Sequence, residues 1–341
     1  MSKSMLAALL DGPGQPLRLG ETALPQPGPG EMLVRLEASG VCRTDVDVWL
    51  GEMTPASGKP PEILGHEGIG RVVGLGPGVS DWRLGQRAGI AWLHNTCGHC
   101  RECDDGMEAF CQAQKAHGFD VPGTFATHVV AEARFAAVAP ERGCAAELAP
   151  LMCAGLTAFG SLQRAALARG ETCAIFGCGG LGLYAVQMAK RLGAKVVAID
   201  ADEVKLRDAL TLGADHVVKA AREAALDWPA ALRADVCINF APTSATWDAM
   251  LAAIRPRGRI IAAAMVSDPV QLRQDWLTSS GVLITGTSVG TRAQMRELMA
   301  MNQSDPLVAT VTRIGLEDAT DALRSLRDGT ARGRQSIVFD A

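Results

Sequence analysis

The feature that most constrains the fold is a glycine-rich turn between an apolar run and a helical segment. The run TCAIF (172–176) leads into GCGGLG (177–182), which opens the segment LYAVQMAKRLG. The following VVAI is a continuous apolar run, as in a strand that is covered on both faces. The helical spacing predicts a buried face made of Leu181, Ala185, Met188, Ala189 and Leu192. A strand, a tight turn, a helix and a second strand form a parallel β-α-β unit.

The same alternation continues towards the C-terminus. We expect helices near 203–212 and 244–254, and strands around His216–Val218, 235–240, 258–264 and 281–287. Such alternation predicts a doubly wound parallel sheet. Residues 1 to about 150 instead hold short apolar runs broken by glycine, proline and polar clusters, which indicates a mostly β region. The tail carries one amphipathic helix, TRAQMRELMAMNQ, and a terminal strand, QSIVFD.

Length and charge limit the classes of partner. A chain of 341 residues is long enough for two domains, because a single core rarely grows beyond about 250 residues. The net charge of −4 gives nucleic acid or an anionic membrane surface little to bind. No stretch approaches the roughly 20 apolar residues of a membrane span, and the N-terminal apolar run is too short for a signal peptide. We therefore expect a cytoplasmic protein with a small-molecule partner, and neither nucleic acid nor membrane as a partner.

The glycines of GCGGLG have the spacing G-x-G-x-x-G at Gly177, Gly179 and Gly182, with Gly180 between them. The first permits the tight turn, the second lets the backbone approach a pyrophosphate, and the third lets the helix pack on the strand. The N-terminus of the helix presents free N–H groups and a partial positive charge to the anion. Since the turn follows a strand and opens a helix, it predicts a dinucleotide site.

Asp200 ends the next predicted strand, where an acidic side chain accepts hydrogen bonds from an adenosine ribose. A carboxylate there repels the additional phosphate of NADP, so NAD is favoured. The alternative is that Asp200 only begins a loop. Lys205 either contacts the same ribose or is solvated, and both interpretations stay open.

Four cysteines fall in one short loop, CGHCRECDDGMEAFC, at Cys97, Cys100, Cys103 and Cys111. In a reducing compartment cysteines rarely form disulfides, so clustered ones indicate a metal. Four thiolates close a tetrahedral Zn²⁺ shell with no open position, which makes such a site structural. An iron–sulfur cluster uses similar runs, but the Cys-Pro ending is missing here. His99, inside the loop, is expected to be solvated.

A second metal would need ligands from distant parts of the chain. A catalytic zinc requires three protein ligands and one exchangeable position. Outside the loop the candidates are Cys42, the adjacent pair His66 and Glu67, and Cys153 at the junction between the two textures. Taken singly, each has a plain explanation, as a core thiol, a turn histidine or a buried helix thiol. The residues alone leave both explanations open.

The order of the motifs is more specific than any one of them. GVCRTD, GHEGIGRVVGLG, the four-cysteine loop, CAGLTAF and GCGGLG follow each other as in the zinc-dependent medium-chain alcohol dehydrogenases, which the chain resembles over essentially its whole length. The similarity is to the shorter, typically tetrameric microbial branch. It implies an α/β protein with a mostly β, GroES-like catalytic zinc-binding domain over 1–151 and 288–341. It also implies a doubly wound Rossmann domain for NAD over 152–287.

The resemblance implies roles for the metal-site residues. Cys42, His66 and Cys153 would bind a catalytic zinc, and Glu67 would be able to swing in as a further ligand. Asp45 would orient the imidazole of His66.

The resemblance further implies contacts to the substrates. Thr44 would hold the alcohol proton by a hydrogen bond. The implied cofactor contacts, besides the glycine turn, are Arg43, Thr157, Leu181 and Arg334, and the implied walls of the substrate pocket are Trp49, Trp92 and Leu93. The alternatives are a turn hydroxyl for Thr44, a surface cation for Arg43, and core packing for the tryptophans.

The chain departs from the family pattern at Asp47, where many members carry a histidine that relays a proton to solvent. The unperturbed pKa of a carboxylate is ~3.9 against ~6.5 for histidine, so the two do not titrate in the same range. Three roles are open for Asp47: it accepts the proton transiently, it bonds the ribose while water carries the proton, or it points to solvent. We expect the second.

The sequence thus predicts an NAD-dependent zinc alcohol dehydrogenase that holds two Zn²⁺ per chain and interconverts a primary or secondary alcohol with its aldehyde or ketone. Polyol, amino-alcohol and hydroxyacyl dehydrogenases are alternatives on the same scaffold. A zinc-free quinone or enoyl reductase has no need of the three ligands. The net negative charge of the chain disfavours a zinc-ribbon interaction module fused to an NAD-sensing domain. By analogy with the family we expect a homo-oligomer, tetrameric or alternatively dimeric.

Overall fold

The computed structural model describes residues 4–220 and 228–339. They form two compact units: the first contains the described residues up to Leu156 and from Thr291 onward, and the second is Thr157–Gly290. The strands are β1 (Ser4–Leu9), β2 (Arg18–Ala23), β3 (Glu31–Val41), β4 (Glu67–Leu75), β5 (Arg87–Ile90), β6 (Leu93–Asn95), β7 (Lys115–Ala116), β8 (His128–Glu132), β9 (Ala137–Val138), β10 (Thr172–Phe176), β11 (Lys195–Asp200), β12 (His216–Lys219), β13 (Ala234–Asn239), β14 (Ile254–Ala262), β15 (Leu283–Gly286), β16 (Val311–Ile314) and β17 (Arg334–Val338). The α-helices are α1 (Arg43–Leu50), α2 (Arg101–Asp104), α3 (Ala145–Leu148), α4 (Ala154–Arg164), α5 (Gly182–Arg191), α6 (Glu203–Thr211), α7 (Thr246–Ala253), α8 (Gln274–Ser280), α9 (Arg292–Ser304) and α10 (Ala319–Arg327).

The first unit is mostly β, as the sequence predicts. In its described part, β16, β17, β3, β4, β5 and β9 pair in that order and β8 joins β3, largely antiparallel. Along β3 the side chains of Met32, Val34 and Leu36 alternate into a core that also contains Ile90 and Trp82. The GroES-like fold is confirmed, and β3 ends directly before Cys42.

The second unit contains the predicted parallel sheet. Its described strands pair in the order β12, β11, β10, β13, β14, β15, all parallel. The strand after β10 lies on one side of it and β13 lies on the other, so the strand order reverses beside β10. Ligands bind at the carboxyl ends of the strands at such a reversal. The doubly wound fold is confirmed, and it places the turn after β10 where a dinucleotide would bind.

Two expectations about helices are wrong. Leu192 follows the last residue of α5 and is 46% exposed, so the buried face of this helix rests on Ala185, Met188 and Ala189 instead. The tail contains a second helix, α10, besides the predicted α9. The buried face of α10 contains Ala319, Ala322 and Leu323, and its last turn carries Arg324 and Arg327, so the amphipathic pattern of this helix is present in the sequence.

Among the described residues, no single helix is long and apolar enough to cross a membrane. One bent pair, Ala145–Met152 with Ala154–Arg164, passes by length and composition only. Its leucines, Leu151 and Leu162 among them, are buried within the protein.

Candidate active site and metal centres

Four potential metal ligands meet inside the first unit. Cys42, His66, Glu67 and Cys153 are all buried, and one ligand atom from each lies within 4.8 Å of the others. Cys42 is the residue between β3 and α1, and the pair His66 and Glu67 stands at the start of β4. Cys153 directly precedes α4. The structure therefore brings together the residues that the resemblance implied as one site.

The pairing of β3 with β4 explains how this group forms. Gly40 is the register partner of Glu67, which puts the end of one strand beside the start of the other. A Cβ at Gly40 would overlap the carboxylate of Glu67. Only glycine, which has no Cβ, leaves enough space for this carboxylate. The position of Glu67 in the site therefore depends on Gly40, although glycine has no functional side chain.

Asp45 fixes both Cys42 and His66. One carboxylate oxygen accepts a hydrogen bond from the backbone N–H of Cys42 at 2.8 Å, and the other lies 3.0 Å from His66 Nδ1. Since a carboxylate only accepts, the proton of a neutral His66 is on Nδ1. Nε2 of His66 is then a bare acceptor, and it is buried with no protein hydrogen-bond partner among the described residues.

The geometry of this group fits Zn²⁺. Two Zn–S bonds of about 2.3 Å in a tetrahedron place the sulfurs about 3.8 Å apart. The Sγ atoms of Cys42 and Cys153 are 3.8 Å apart. The unpartnered Nε2 of His66 supplies a third donor, and the carboxylate behind its ring is the usual support of a zinc-bound histidine.

The pKa values of the two thiols and of the imidazole are shifted in different directions. The hydrogen bond between the two thiols lowers the pKa of Cys42 well below its usual range and raises that of Cys153 well above it. Burial disfavours a charged His66, but Asp45 and Cys42 outweigh it and raise the pKa of His66 well above its usual range. A metal ion that binds here displaces these protons, so its affinity falls as the pH falls.

Glu67 is held by an arginine from the end of the chain. Nη2 of Arg334 donates to the two carboxylate oxygens of Glu67, at 2.6 and 2.7 Å, and to the carbonyl of Val41 at 3.2 Å. Burial raises the pKa of Glu67 to about 7, because the guanidinium offsets only part of the desolvation. Arg334, expected to contact the cofactor, is itself 6% exposed and is engaged with this carboxylate.

The four-cysteine loop forms the second group of metal ligands. Neighbouring Sγ atoms of Cys97, Cys100, Cys103 and Cys111 lie 3.5 to 4.0 Å apart, which again fits tetrahedral Zn²⁺. A backbone hydrogen bond from His99 lowers the pKa of Cys97 to about 7, and the His99 side chain itself is exposed. Thiolates supply all four positions, so this shell is closed.

The first turn of α1 carries the polar residues that follow Cys42. Arg43 and Asp47 form an ion pair one helical turn apart, with Nε 2.9 Å from Oδ1. The guanidinium of Arg43 is about half exposed, whereas Asp47 is largely covered. Thr44, between them, is partly buried. The structure thus gives Asp47 a partner that the sequence analysis did not consider.

In the second unit, the glycine turn has the predicted conformation. Gly177 has φ of +91°, and a Cβ at Gly182 would overlap the carbonyl of Gly177, so both positions require glycine. A Cβ at Gly179 would meet nothing within 4 Å, which leaves open space over the turn. Asp200 accepts hydrogen bonds from the backbone of Cys178 at 2.8 Å and of Asp202 at 2.9 Å. Its carboxylate is therefore fixed at the end of β11.

Of the two tryptophans expected to line the substrate pocket, one lies beside the buried metal-ligand group and the other lies in the hydrophobic core. The Trp92 ring lies edge-on to His66, with centroids 5.2 Å apart, and packs on Phe119 at 5.6 Å. Trp49 is buried in a hydrophobic cluster and donates its indole N–H to the carbonyl of Gln15. Trp49 is thus a core residue, because both its ring and its N–H are satisfied there. Leu93 is likewise a packing residue, buried against Ala109 and Phe135.

Three contacts around the candidate sites were not predicted from the sequence. Phe119 beside Trp92 comes from a loop without any motif, and Arg334 reaches Glu67 across most of the chain. His94 and His117 form a buried imidazole pair. Phe119 lies in a turn, whereas Arg334 begins β17 and His94 lies in β6, so no common sequence signal marks these contacts.

Two family models match the chain. The GroES-like domain of alcohol dehydrogenases matches residues 28–141, and the zinc-binding dehydrogenase domain matches residues 180–304. An alcohol dehydrogenase of Moraxella sp. strain TAE123 is 36% identical over 98% of this chain and 99% of its own length.

Solved structures agree with these matches. A cobalt- and zinc-bound thermostable alcohol dehydrogenase from Pyrobaculum aerophilum is 31% identical with a TM-score of 0.87, over 98% of this chain and 100% of its own. Acetophenone reductase from Geotrichum candidum, in complex with NAD, is 28% identical with a TM-score of 0.86, over 99% and 98% of the two chains. All of them cover both units of the fold described above.

Proposed function

The chain belongs to the zinc-dependent medium-chain alcohol dehydrogenase family, and from that membership we propose the reaction of its buried site. It is reversible hydride transfer between NAD and a primary or secondary alcohol, giving the aldehyde or ketone. The observation that carries this proposal is the buried ligand set in which Cys42, Cys153 and the unpartnered Nε2 of His66 converge. Three such ligands leave a fourth position for substrate, as catalytic zinc requires.

The residues around the site divide the remaining tasks. When bound, Zn²⁺ would lower the pKa of the alcohol hydroxyl and NAD would accept the hydride. Asp45 keeps the lone pair of His66 directed at the metal position, and Thr44 offers the hydroxyl that takes the alcohol proton. Arg334 keeps the carboxylate of Glu67 beside the thiols, where it is available as a further ligand.

For Asp47 we propose a role through Arg43. The ion pair holds the guanidinium over the first turn of α1, where it faces solvent and is available to an anionic cofactor group. Arg334 has no comparable exposure, so of the two arginines Arg43 is the better candidate for the pyrophosphate. The proton would then leave through water.

The second unit would bind the cofactor. The turn of Gly177, Gly179, Gly180 and Gly182 opens α5, and the positive φ of Gly177 supports a tight turn against which a pyrophosphate would lie. Asp200, fixed at the end of β11, would accept the ribose hydroxyls and disfavour the phosphate of NADP. Lys205, Thr157 and Leu181 would complete the contacts.

Metal content, assembly and location complete the proposal. Two zinc ions per chain follow from the two ligand groups. The free state of all ten cysteines fits a reducing, cytoplasmic setting. An assembly of two or four chains would use the edge strand β15, whose Leu283 is 64% exposed. Light scattering of wild type and Leu283→Lys would test the assembly, since the lysine should lower the mass.

One experiment tests the reaction itself. A panel of alcohols and carbonyls is assayed with NAD and with NADP, before and after chelation and after return of Zn²⁺. We expect NAD-dependent turnover that chelation removes and zinc restores, strongest for apolar alcohols because the Trp92 ring lies beside His66 and packs on Phe119. Full activity after complete metal removal contradicts the proposal, and NAD binding without any turnover favours an NAD-sensing module.

A further inference from the structure

A cavity of about 490 Å³ lies within the first unit and is not lined by any of the metal ligands. Its walls are largely apolar, with Met5, Leu9, Ile63 and Val129 among them. Volumes of this size are typical of sites for small organic ligands. Its polar side chains come from Thr22, Glu31, Glu62, His94 and His128.

The positions of the protons on the imidazoles of His117 and His94 determine whether His94 presents a donor or an acceptor to the cavity. His117 Nδ1 lies 2.9 Å from the carbonyl oxygen of Ala91, and a carbonyl only accepts, so the proton of His117 is on Nδ1. Burial lowers the pKa of His117 to about 3, which keeps the ring neutral and its Nε2 bare. This Nε2 lies 3.2 Å from Nδ1 of His94, which must therefore donate.

His94 then presents a lone pair to the cavity. With its proton on Nδ1, a neutral His94 has an unprotonated Nε2. Burial, with a smaller contribution from the positive charge of Lys115, lowers the pKa of His94 as well, in spite of the carboxylates of Glu31 and Glu132. The residue is 6% exposed, and its Nε2 lies 3.7 Å from Oε1 of Glu31, beyond hydrogen-bond distance.

Glu31 presents a second acceptor at the same place. Its other oxygen, Oε2, is occupied by the backbone N–H of Gly28 at 2.8 Å, which fixes the carboxylate. Among the described residues, no protein donor bridges Oε1 and the lone pair of His94. Two acceptors in this arrangement repel unless a donor bridges them, and the carboxylate favours a donor with positive charge.

We propose that this cavity binds a small alkylammonium ion, whose N–H groups bridge His94 and Glu31 while its carbon chain lies against the apolar walls. A primary ammonium has three N–H donors, enough for both acceptors. The carboxylate of Glu62, exposed at the lining, adds to the attraction for a cation. Among the described residues, the groups of three or more close metal ligands are the two centres described above, so a metal ion is not the expected occupant.

Calorimetry of the zinc-loaded protein with n-hexylammonium chloride tests the proposal. We expect saturable binding at one site per chain at millimolar concentration or below. The matched ligand is hexyltrimethylammonium, which has the same charge and chain without N–H groups, and it should bind at least about tenfold more weakly. Equal affinity for the two ions, or no saturable binding of the first, overturns the proposal.

Two variants locate the site. Glu31→Gln removes the charge, and His94→Asn keeps a donor near the position of Nδ1 while it removes Nε2; each should weaken binding at least about tenfold. Glu52→Gln, an exposed carboxylate that is not part of the cavity lining, should leave binding unchanged. Unchanged affinity in Glu31→Gln, or loss of binding on chelation of zinc, would place the ion elsewhere and contradict the proposal.

Nitrogen-15 spectra of the histidine side chains give a readout that does not depend on variants. His94 Nε2 should resonate as a bare nitrogen in the free protein and shift towards a hydrogen-bonded value as n-hexylammonium is added. A protonated Nε2 in the free protein at neutral pH overturns the proposal, because the ring would then pair with Glu31 directly.

Discussion

Both metal-ligand groups contain cysteine thiols, but the thiols differ in burial and in how far apart they lie in the chain. The four loop cysteines come from residues 97 to 111, and three of them are only partly buried. The ligands Cys42, His66 and Cys153 come from three separate segments and are all buried. The loop supplies a closed set of four sulfurs, whereas the buried group pairs two sulfurs with a histidine that Asp45 orients. The difference teaches that a stabilising site is encoded locally, while a reactive one requires the folded unit around it.

The sharpest test of this comparison replaces His66, a member of the buried group, and His99, which lies in the four-cysteine loop without being one of its ligands. His66→Ala should lower kcat/KM by about four orders of magnitude or more, because it deletes a ligand of the catalytic metal. His99→Ala, in the exposed part of the loop, is the matched control and should change kcat/KM less than about threefold. Zinc analysis and circular dichroism accompany the kinetics. A similar loss of activity in both variants would show that the two sites are not separate in function.

The support behind His66 should matter next. Asp45→Asn removes the charge that orients the imidazole, and we expect zinc affinity and kcat/KM to fall about 10- to 100-fold. Asp104→Asn replaces an exposed carboxylate in the four-cysteine loop and should have no effect. Competition with a zinc-binding dye measures affinity independently of turnover. Wild-type affinity in Asp45→Asn contradicts the role assigned to the hydrogen bond.

A loop ligand should affect stability rather than catalysis. Cys103→Ser opens the closed shell, so the zinc content should fall by about one ion per chain and the melting temperature by about 5 to 10 °C. At room temperature, kcat/KM per folded chain should stay within about threefold of wild type. A large loss of kcat/KM with unchanged stability would reverse the roles given to the two groups.

Thiol reactivity in the metal-free protein should also differ between the groups. The pKa of Cys97 is lowered to about 7 by the backbone of His99, and the thiol is partly exposed. Since the thiolate is the nucleophile, its alkylation by iodoacetamide should rise as the pH is raised through about 7 and level off above. The thiol of Cys42 also has a lowered pKa but is buried, so it should react slowly at every pH. Mass spectrometry of alkylated peptides distinguishes the two, and equal rates would contradict the difference in burial.

Features that depend on the spacing of neighbouring residues could be predicted from the sequence, whereas the packing contacts between residues far apart in the chain could not. The loop cysteines and the glycine turn are recognisable because their spacing alone fixes their geometry, and the parallel sheet followed from alternating periodicity. Trp49 and Trp92 are alike in sequence, yet one is core and the other adjoins His66, since only tertiary packing separates them. The contact between Arg334 and Glu67 joins residues 267 positions apart, so no pattern along the chain announces it.

The smallest expected effect concerns Asp47, which stands where a proton-relaying histidine is common in the family. Its partner in the structure is Arg43, on the exposed side of α1, and an exposed i,i+4 pair contributes only about 0.3–0.5 kcal/mol to the free energy of unfolding. Asp47→Asn should therefore lower stability by no more than that, and should raise KM for NAD a few-fold, because Arg43 loses the carboxylate that holds its guanidinium in place. The pH profile of kcat should keep its shape, since no proton passes through this carboxylate. Asp47→Glu, which retains the charge, is the matched control and should keep the wild-type KM for NAD. A profile that changes shape in Asp47→Asn while Asp47→Glu remains normal would restore a relay role to this position.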